Sequence, residues 1–345
     1  MPTIIGWDLG GANVKLARVE DGVVIGAVQV PCRMIPERRK FDEAVAAALP
    51  RVSSSAVHAV TMTGELSDVF NDRAEGVAYL IDVMARIAAG GMLRIYAGSA
   101  GFLSPEEAKR RMIDVASANW HATAAFVARH VRDALLIDVG TTTTDLIPIK
   151  RGTVAARGAT DAERLTEGEL LYTGVVRTPV MAVARSAPFR GRIQRIAAER
   201  FATMADVWRL AGGLPGDADP HPAADQRGKT AADCAARLAR MLGRDASDAA
   251  HSEWVTLARY FADCQLAEIE HAARGLVERH GPLPNAPVVG AGCGRFAAKR
   301  LAERLGRRYV DFADVVGAAA EAHDMAACCA PAVAVALLAS SSEAA

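Results

Sequence analysis

Two stretches of this chain read as the same hairpin, and that repeat limits the folds open to it. In residues 134–152 an apolar run leads to Asp138, a Gly and four Thr follow, and apolar residues resume at Leu146. The pattern predicts strand, tight polar turn, strand. Laid without gaps over residues 8–22, Asp138, Gly140, Leu146 and Gly152 coincide with Asp8, Gly10, Leu16 and Gly22. One such hairpin is a weak signal. Two in register predict a duplicated domain with facing, anion-binding turns.

The turns carry the residue types a polyphosphate needs. Gly10, Gly11 and Gly140 let backbone N–H groups approach an anion closely. Asn13 and the hydroxyls of Thr141, Thr142 and Thr143 add donors, and Lys15 adds a point charge. Asp8 and Asp138 each close a strand and are the expected ligands of Mg²⁺, which keeps most of its waters and takes one or two carboxylates. Asp145 is a candidate for a water-mediated metal contact or a general base. Further on, Gly290-Ala-Gly292-Cys-Gly294 lacks the spacing of a dinucleotide fingerprint. After two phosphate hairpins it is expected as a phosphate-binding turn beside a nucleotide-sized ligand. Glu65 follows Thr63-Gly64 at a strand end, where a carboxylate of raised pKa serves as general base; the plainer alternative is a helix-start carboxylate. Asp161, Glu169 and Arg177 fall in an irregular, Gly-containing segment, 158–179, of the kind that shapes a substrate pocket. Arg177 and Arg185 are candidates for holding a carboxylate. His121 is assigned a capping or core role.

The 345 residues suffice for about two domains, and 51% are apolar. A net charge of zero excludes a charge-driven nucleic-acid or membrane-surface role. The Arg-rich run 190–200 is expected as a solvated helix face. The start of the chain shows no targeting pattern, and the apolar run 330–339 is too short for a bilayer. The expectation is a cytoplasmic protein with small-molecule substrates and no nucleic-acid or membrane partner; a homodimer is left open. The six Cys form no CxxC pair, and Cys328 and Cys329 are expected in the core.

The periodicity predicts a three-stranded meander over 3–30, helices at 39–49, 67–89 and 119–131, and short strands at 58–63 and 92–97. Ser104-Pro-Glu-Glu107 predicts a capped helix start. Residues 154–157 are expected as a strand and 212–228 as a surface loop. Long helices at 230–242 and 252–280 predict a helical insertion. Strand, Gly-rich turn and helix follow at 287–296, a strand at 309–312, a buried helix at 330–339, and a frayed tail at 340–345.

Taken together, these motifs resemble the sugar kinase–heat-shock protein–actin superfamily. Residues 8–15 are similar to its first phosphate motif, 138–145 to its second and 290–294 to its adenosine motif. The resemblance covers most of the chain. It implies an α/β fold of two ribonuclease-H-like, actin-like ATPase domains with a central cleft. They would span 1–130 and 131–312, with a helical insertion at about 185–285 and the final helix, 313–339, packed back on the first domain. Within the superfamily the chain resembles the hydantoinase/oxoprolinase-like branch. More narrowly, residues 138–145, Gly168-Glu-Leu-Leu-Tyr-Thr-Gly-Val-Val-Arg-Thr-Pro179 and Met62-Thr-Gly-Glu65 resemble the methanofuran-biosynthesis enzymes of one-carbon metabolism, including tetrahydromethanopterin-linked pathways. That resemblance implies a transferase joining an aminomethylfuran-methyl diphosphate to γ-glutamyltyramine, with release of pyrophosphate; a further expectation of our own is that the phosphate turns hold the substrate's diphosphate and no ATP is consumed. The competing expectations are an ATP-dependent small-molecule kinase, an oxoprolinase-like amide hydrolase and a non-catalytic nucleotide-switched protein. Cys293 departs from the superfamily's late turn and counts against an adenine site.

Overall fold

The computed structural model describes residues 3–32, 37–48, 56–88, 91–280 and 286–343. In chain order the elements are β1 (Ile4–Leu9), β2 (Asn13–Glu20), β3 (Val23–Pro31), α1 (Arg39–Ala48), β4 (Val57–Met62), α2 (Arg73–Ile87), β5 (Met92–Tyr96) and β6 (Phe102–Leu103). Next come α3 (Pro105–Arg110), α4 (Met112–Val115), α5 (Asn119–His130), β7 (Ala134–Val139), β8 (Thr144–Lys150), β9 (Thr153–Val154), α6 (Asp161–Glu167) and β10 (Leu170–Leu171). Then follow α7 (Val180–Val183), β11 (Ser186–Phe189), β12 (Arg192–Arg195), α8 (Met204–Leu210), α9 (Ala231–Met241) and α10 (His251–Arg279). The chain closes with β13 (Val288–Ala291), α11 (Arg295–Arg304), β14 (Tyr309–Asp311), α12 (Phe312–Val315), α13 (His323–Cys328) and α14 (Ala330–Glu343). Two compact units result: Met1–Leu136 with Ile147–Glu167 and Val310–Ala345, and Ile137–Leu146 with Gly168–Tyr309.

The first unit is built on a six-stranded sheet in the order β3-β2-β1-β4-β5-β6. The meander β1–β2–β3 is antiparallel, while β4 runs parallel to β1 and β5 parallel to β4. Asp21 and Gly22, both at positive φ (48° and 78°), close β2 on β3. Such a two-residue turn matches the strands' twist. Every residue of β1 is buried, so both of its faces need cover. One is supplied by α14, which is apolar all round and lies against β1, β2, β4 and α5. At Gly6 the approach is so close that a Cβ would stand 1.9 Å from the carbonyl oxygen of Ala332.

A second sheet runs β10-β8-β7-β13-β14, with β9 also paired to β8. Its plan repeats the first: a hairpin, then strands added beyond the hairpin's first strand. Arg151 and Gly152 (φ 54° and 76°) repeat the Asp21-Gly22 turn between β8 and β9. In the second unit α8, α9 and α10 pack together. A buried cation organises them: Arg237 donates to Asp206 at 2.9 Å, to Asp225 at 2.9 Å and to the Gly228 carbonyl at 3.0 Å.

Several element expectations need correction. The run 190–200 forms no helix; it belongs to the hairpin β11–β12, closed by Arg190 and Gly191 at φ 49° and 74°. Segment 158–179 contains α6, whose start is a Thr160–Glu163 capping pair: Glu163 accepts from the Thr160 backbone N–H and Thr160 Oγ1 from that of Glu163. The strand expected at 154–157 is reduced to β9. Residues 340–343 continue α14 rather than fraying, and 344–345 lie outside the described residues, as do the helix ends expected at 49 and 89. Cys328 and Cys329 are buried. Among the described residues no single helix is long and apolar enough to cross a membrane.

Candidate active site

The two turns fold alike. The Gly10 N–H donates to the Asn13 carbonyl at 3.1 Å, and the equivalent Gly140 N–H donates to the Thr143 carbonyl at 2.8 Å. Asp8 and Asp138 end their strands almost fully buried, 4% and 8% exposed.

In the first unit β1 pairs with β2 so that Asp8 faces Lys15 across the hairpin, with Lys15 Nζ 3.7 Å from Asp8 Oδ2. Asn13 is buried beside them. The turn lies against the segment after β4: a Cβ on Gly11 would sit 3.9 Å from Gly64 Cα, and one on Gly10 3.6 Å from Thr63 Oγ1. The Thr63 N–H donates to the Leu9 carbonyl at 3.0 Å, which brings Glu65 to the end of the hairpin. Glu65 is 1% exposed. A Cβ on Gly76 would lie 2.9 Å from Glu65 Cβ, so α2 can approach Glu65 this closely only through a glycine. Burial, reinforced by the Asp161 carboxylate, outweighs the hydrogen bonds that favour the anion and pushes Glu65 up to about 7.

Asp161 opens α6 in the same unit and is 8% exposed. Ser117 Oγ lies 3.0 Å from Glu65 Oε1 and 3.1 Å from Asp161 Oδ2. Arg73 Nη2 lies 3.3 Å from Asp161 Oδ2. Neither Ser117 nor Arg73 stands out in the sequence, because the contact joins residues far apart in the chain. Ser117 has a structural mark instead, a non-glycine φ of 53°. Arg164, also on α6 and 1% exposed, is stacked over the Trp120 ring at 4.0 Å.

In the second unit Asp138 and the residues after it meet the late glycine turn. Gly292 is at φ 82°, and a Cβ there would fall 2.4 Å from Asp138 Oδ1. The Gly294 N–H donates to the Val139 carbonyl at 2.8 Å. The space at Gly290 is taken by the Tyr309 ring, 2.4 Å from where a Cβ would be. The turn is also braced by the 173–177 segment. Val175, Val176 and Arg177 donate backbone N–H groups to the carbonyls of Gly140, Thr141 and Thr141, at 3.1, 3.2 and 2.8 Å. A Cβ on Gly174 would meet the Thr142 nitrogen at 2.5 Å. Gln265, on α10, holds this brace by donating to Thr173 Oγ1 at 2.9 Å and to the Gly174 carbonyl at 3.0 Å. Its own Oε1 accepts from Trp208 Nε1 at 2.8 Å. Nothing in the sequence marks Gln265.

Asp145 is half-buried on β8 and paired in register with Leu170. Glu169 is fully buried, its carbonyl accepting the Leu146 N–H at 2.8 Å. Arg177 is exposed beside the Thr141 carbonyl. Desolvation and the Arg200 charge hold its guanidinium below the usual range. Arg185 is exposed next to β11.

His121 accepts or donates at Nδ1 to Tyr96 Oη, 2.8 Å away, and burial with the Arg164 charge lowers it to about 4. It lines a separate cavity of about 660 Å³ in the first unit, with Tyr96, Phe102 and Arg129. None of the expected site residues lines that cavity.

Among the described residues no group of three or more His, Cys, Asp or Glu is placed to hold a metal ion. The donor set fits a hydrated Mg²⁺ taken by single carboxylates rather than a closed metal cage. The glycine cradle at Asp138 Oδ1, which any side chain at Gly292 would fill, agrees with that.

The hydantoinase/oxoprolinase family profile matches residues 56–340. The (4-{4-[2-(gamma-L-glutamylamino)ethyl]phenoxymethyl}furan-2-yl)methanamine synthase of Methanocaldococcus jannaschii is 32% identical over 291 residues, covering 84% of this chain and 86% of that protein. The synthase of the same name from Methanococcus vannielii is 41% identical over 85 residues, 24% of this chain and 38% of that protein. Among solved structures, nucleotide-free acetone carboxylase superposes with a TM-score of 0.53 at 10% identity, over 89% of this chain and 68% of that one. This likeness in fold supports the actin-like ATPase class that the superfamily resemblance implied. The chain belongs to the hydantoinase/oxoprolinase family and, within it, to the methanofuran-biosynthesis synthases.

Proposed function

We propose that the protein joins γ-glutamyltyramine, through its phenol oxygen, to the furanylmethyl carbon of an aminomethylfuran-methyl diphosphate, releasing pyrophosphate. The observation that carries this reading is the match along most of the chain to a synthase named for that ether. Membership of that group favours it over a small-molecule kinase or an amide hydrolase.

The residues support the chemistry. The furan ring spreads the positive charge that develops on its methylene carbon as the C–O bond breaks, and the electron pair leaves with the diphosphate. In the first unit Gly11, Asn13 and Lys15 present a backbone N–H, an amide and an ammonium to such an anion, while Gly10, whose N–H is held by the Asn13 carbonyl, closes the turn. The second turn, Gly140 with Thr141, Thr142 and Thr143, is of the same build and takes the same class of ligand. Asp8 in the first unit and Asp138 in the second are each proposed as a carboxylate for Mg²⁺, which when bound neutralises diphosphate charge. The phenol, with a pKa of about 10, must lose its proton as it attacks. Glu65 is the base, titrating far closer to neutrality than an ordinary carboxylate. Asp145 is the second candidate. Asp161 in the first unit and Arg177 in the second are proposed for substrate binding, Arg177 being suited to the γ-glutamyl carboxylate, and Glu169 as a buried support of the segment that carries Arg177. Gly290 and Gly292 support the second turn. The reaction uses the fold's phosphate turns for the substrate's own diphosphate and consumes no ATP, and the enzyme works in the cytoplasm.

The test is incubation of the protein with both substrates, with and without Mg²⁺, followed by mass spectrometry and a pyrophosphate assay. Ether and pyrophosphate are expected in equal amounts. Asp138→Asn is expected to lose at least about 100-fold in rate with an unchanged circular-dichroism spectrum. Full activity in that variant, or nucleotide-dependent phosphorylation of either substrate, overturns the reading.

A further inference from the structure

We infer that Asp161, paired with Arg73, is a positioning residue that keeps a proton on Glu65, and that Ser117 between them accepts from the protonated acid and turns to donate to Glu65 once it ionises to act as the base. The inference rests on the assignment of Glu65 as the base in the proposed reaction.

The argument is a count of protons. Ser117 Oγ lies within hydrogen-bond distance of two carboxylate oxygens, 3.0 Å from Glu65 Oε1 and 3.1 Å from Asp161 Oδ2. A hydroxyl has one hydrogen and can satisfy one of them. The other contact needs a proton of its own. Arg73 Nη2, 3.3 Å from Asp161 Oδ2, sets a cation against Asp161. Among the described residues no cation pairs with Glu65, which is 1% exposed. The proton therefore sits on Glu65, which donates to Ser117 Oγ while Ser117 donates to Asp161. The line is polar along its length and ends at Arg73, half in water.

Its geometry is held at some cost. Ser117 occupies the left-handed region at φ 53°, which disfavours a side chain by roughly 1–2 kcal/mol. Glu65 Oε2 is buried with no hydrogen-bond partner, an orphaned acceptor rare in folded proteins and suited to a donor that arrives with substrate. The charged groups around the cluster are Asp161 and Arg164 from α6, Arg73 from α2, and Asp8 with Lys15 from the first hairpin. Of these, Arg164 is stacked on Trp120. When the phenol arrives, Glu65 first gives its resting proton to solvent, and the ionised carboxylate then takes the phenol proton. The new C–O bond forms from the phenol oxygen, and the old C–O pair leaves with pyrophosphate.

The experiment is a carboxyl-band infrared titration of the intact protein. Difference spectra against Glu65→Gln isolate the Glu65 band, and rate–pH profiles are measured in parallel. In the native protein a protonated carboxyl band is expected to persist to near pH 7. Ser117→Ala removes only the hydroxyl; Ser117→Gly, which suits the positive φ, removes the whole side chain and serves as a second variant. Both delete a donor to the Glu65 anion and should move its titration upward by half a pH unit or more. Asp161→Asn removes the neighbouring negative charge and should move it downward. The rate profiles should shift the same way as the infrared titrations. A Glu65 band that titrates in the ordinary carboxylate range, or that moves in the same direction in both classes of variant, overturns the inference. Opposite infrared shifts in a protein that makes no ether uphold the proton line and instead reject the proposed reaction.

Discussion

Glu65 sets the terms at the scale of single residues. Its folded value of about 7 stands against an ordinary 4.5. Between those values the folded chain holds a proton that the unfolded chain has released. The group's contribution to stability is therefore full below 4.5 and is lost as pH rises to about 7. The loss amounts to up to about 3 kcal/mol. Glu65→Gln, whose amide donates to Ser117 as the protonated acid does, should remove that slope. Urea denaturation at pH 5 and pH 8 checks it: the native protein weakens between the two while the variant does not, other groups being equal. The sequence placed Glu65 at a strand end with a raised pKa as one reading. It carried no trace of Ser117 or Arg73, because a serine in a short connection acquires its meaning from a φ angle and from partners tens of residues away.

Among the elements, hairpins were the most legible. Asp21-Gly22 and the Asp-x-Gly turns declare themselves through local backbone chemistry, and the Ser104–Glu107 capping box appears as written. The misreadings share one cause. Residues 190–200 were assigned by charge, yet the Arg190-Gly191 turn decided for a hairpin, and Thr160–Glu163 started a helix inside a segment taken as irregular. The buried Arg237 that joins α8, α9 and the loop between them was likewise invisible, since Arg is mostly an exposed residue. Asp206→Ala should cost about 3–5 kcal/mol by leaving that guanidinium buried and less well paired. Thermal denaturation of the variant measures it, and the double substitution Asp206→Leu with Arg237→Met should recover most of the loss.

At the scale of the molecule, the duplicated plan holds in both sheets, each with its hairpin and the strands added beyond it. The first unit also joins the ends of the chain, since α14 covers β1 at Gly6. Gly6→Ala would drive a methyl group into the Ala332 carbonyl. A loss of about 3 kcal/mol is expected, read as a lowered midpoint in chemical denaturation, whereas Gly26→Ala, with open space at the same sheet's edge, should change little. A protein carrying Gly6→Ala at native stability would mean that α14 does not lie on β1.

The repeat and the identity of the two turns were present in the sequence alone, because glycine positions, strand periodicity and turn residues act over a few neighbouring bonds; the fold class followed from the resemblance of those motifs to a known superfamily. Which carboxyls are buried side by side was decided only by the tertiary structure. Desolvation, a shared serine hydroxyl and a distant arginine act through space, and no spacing along the chain records them.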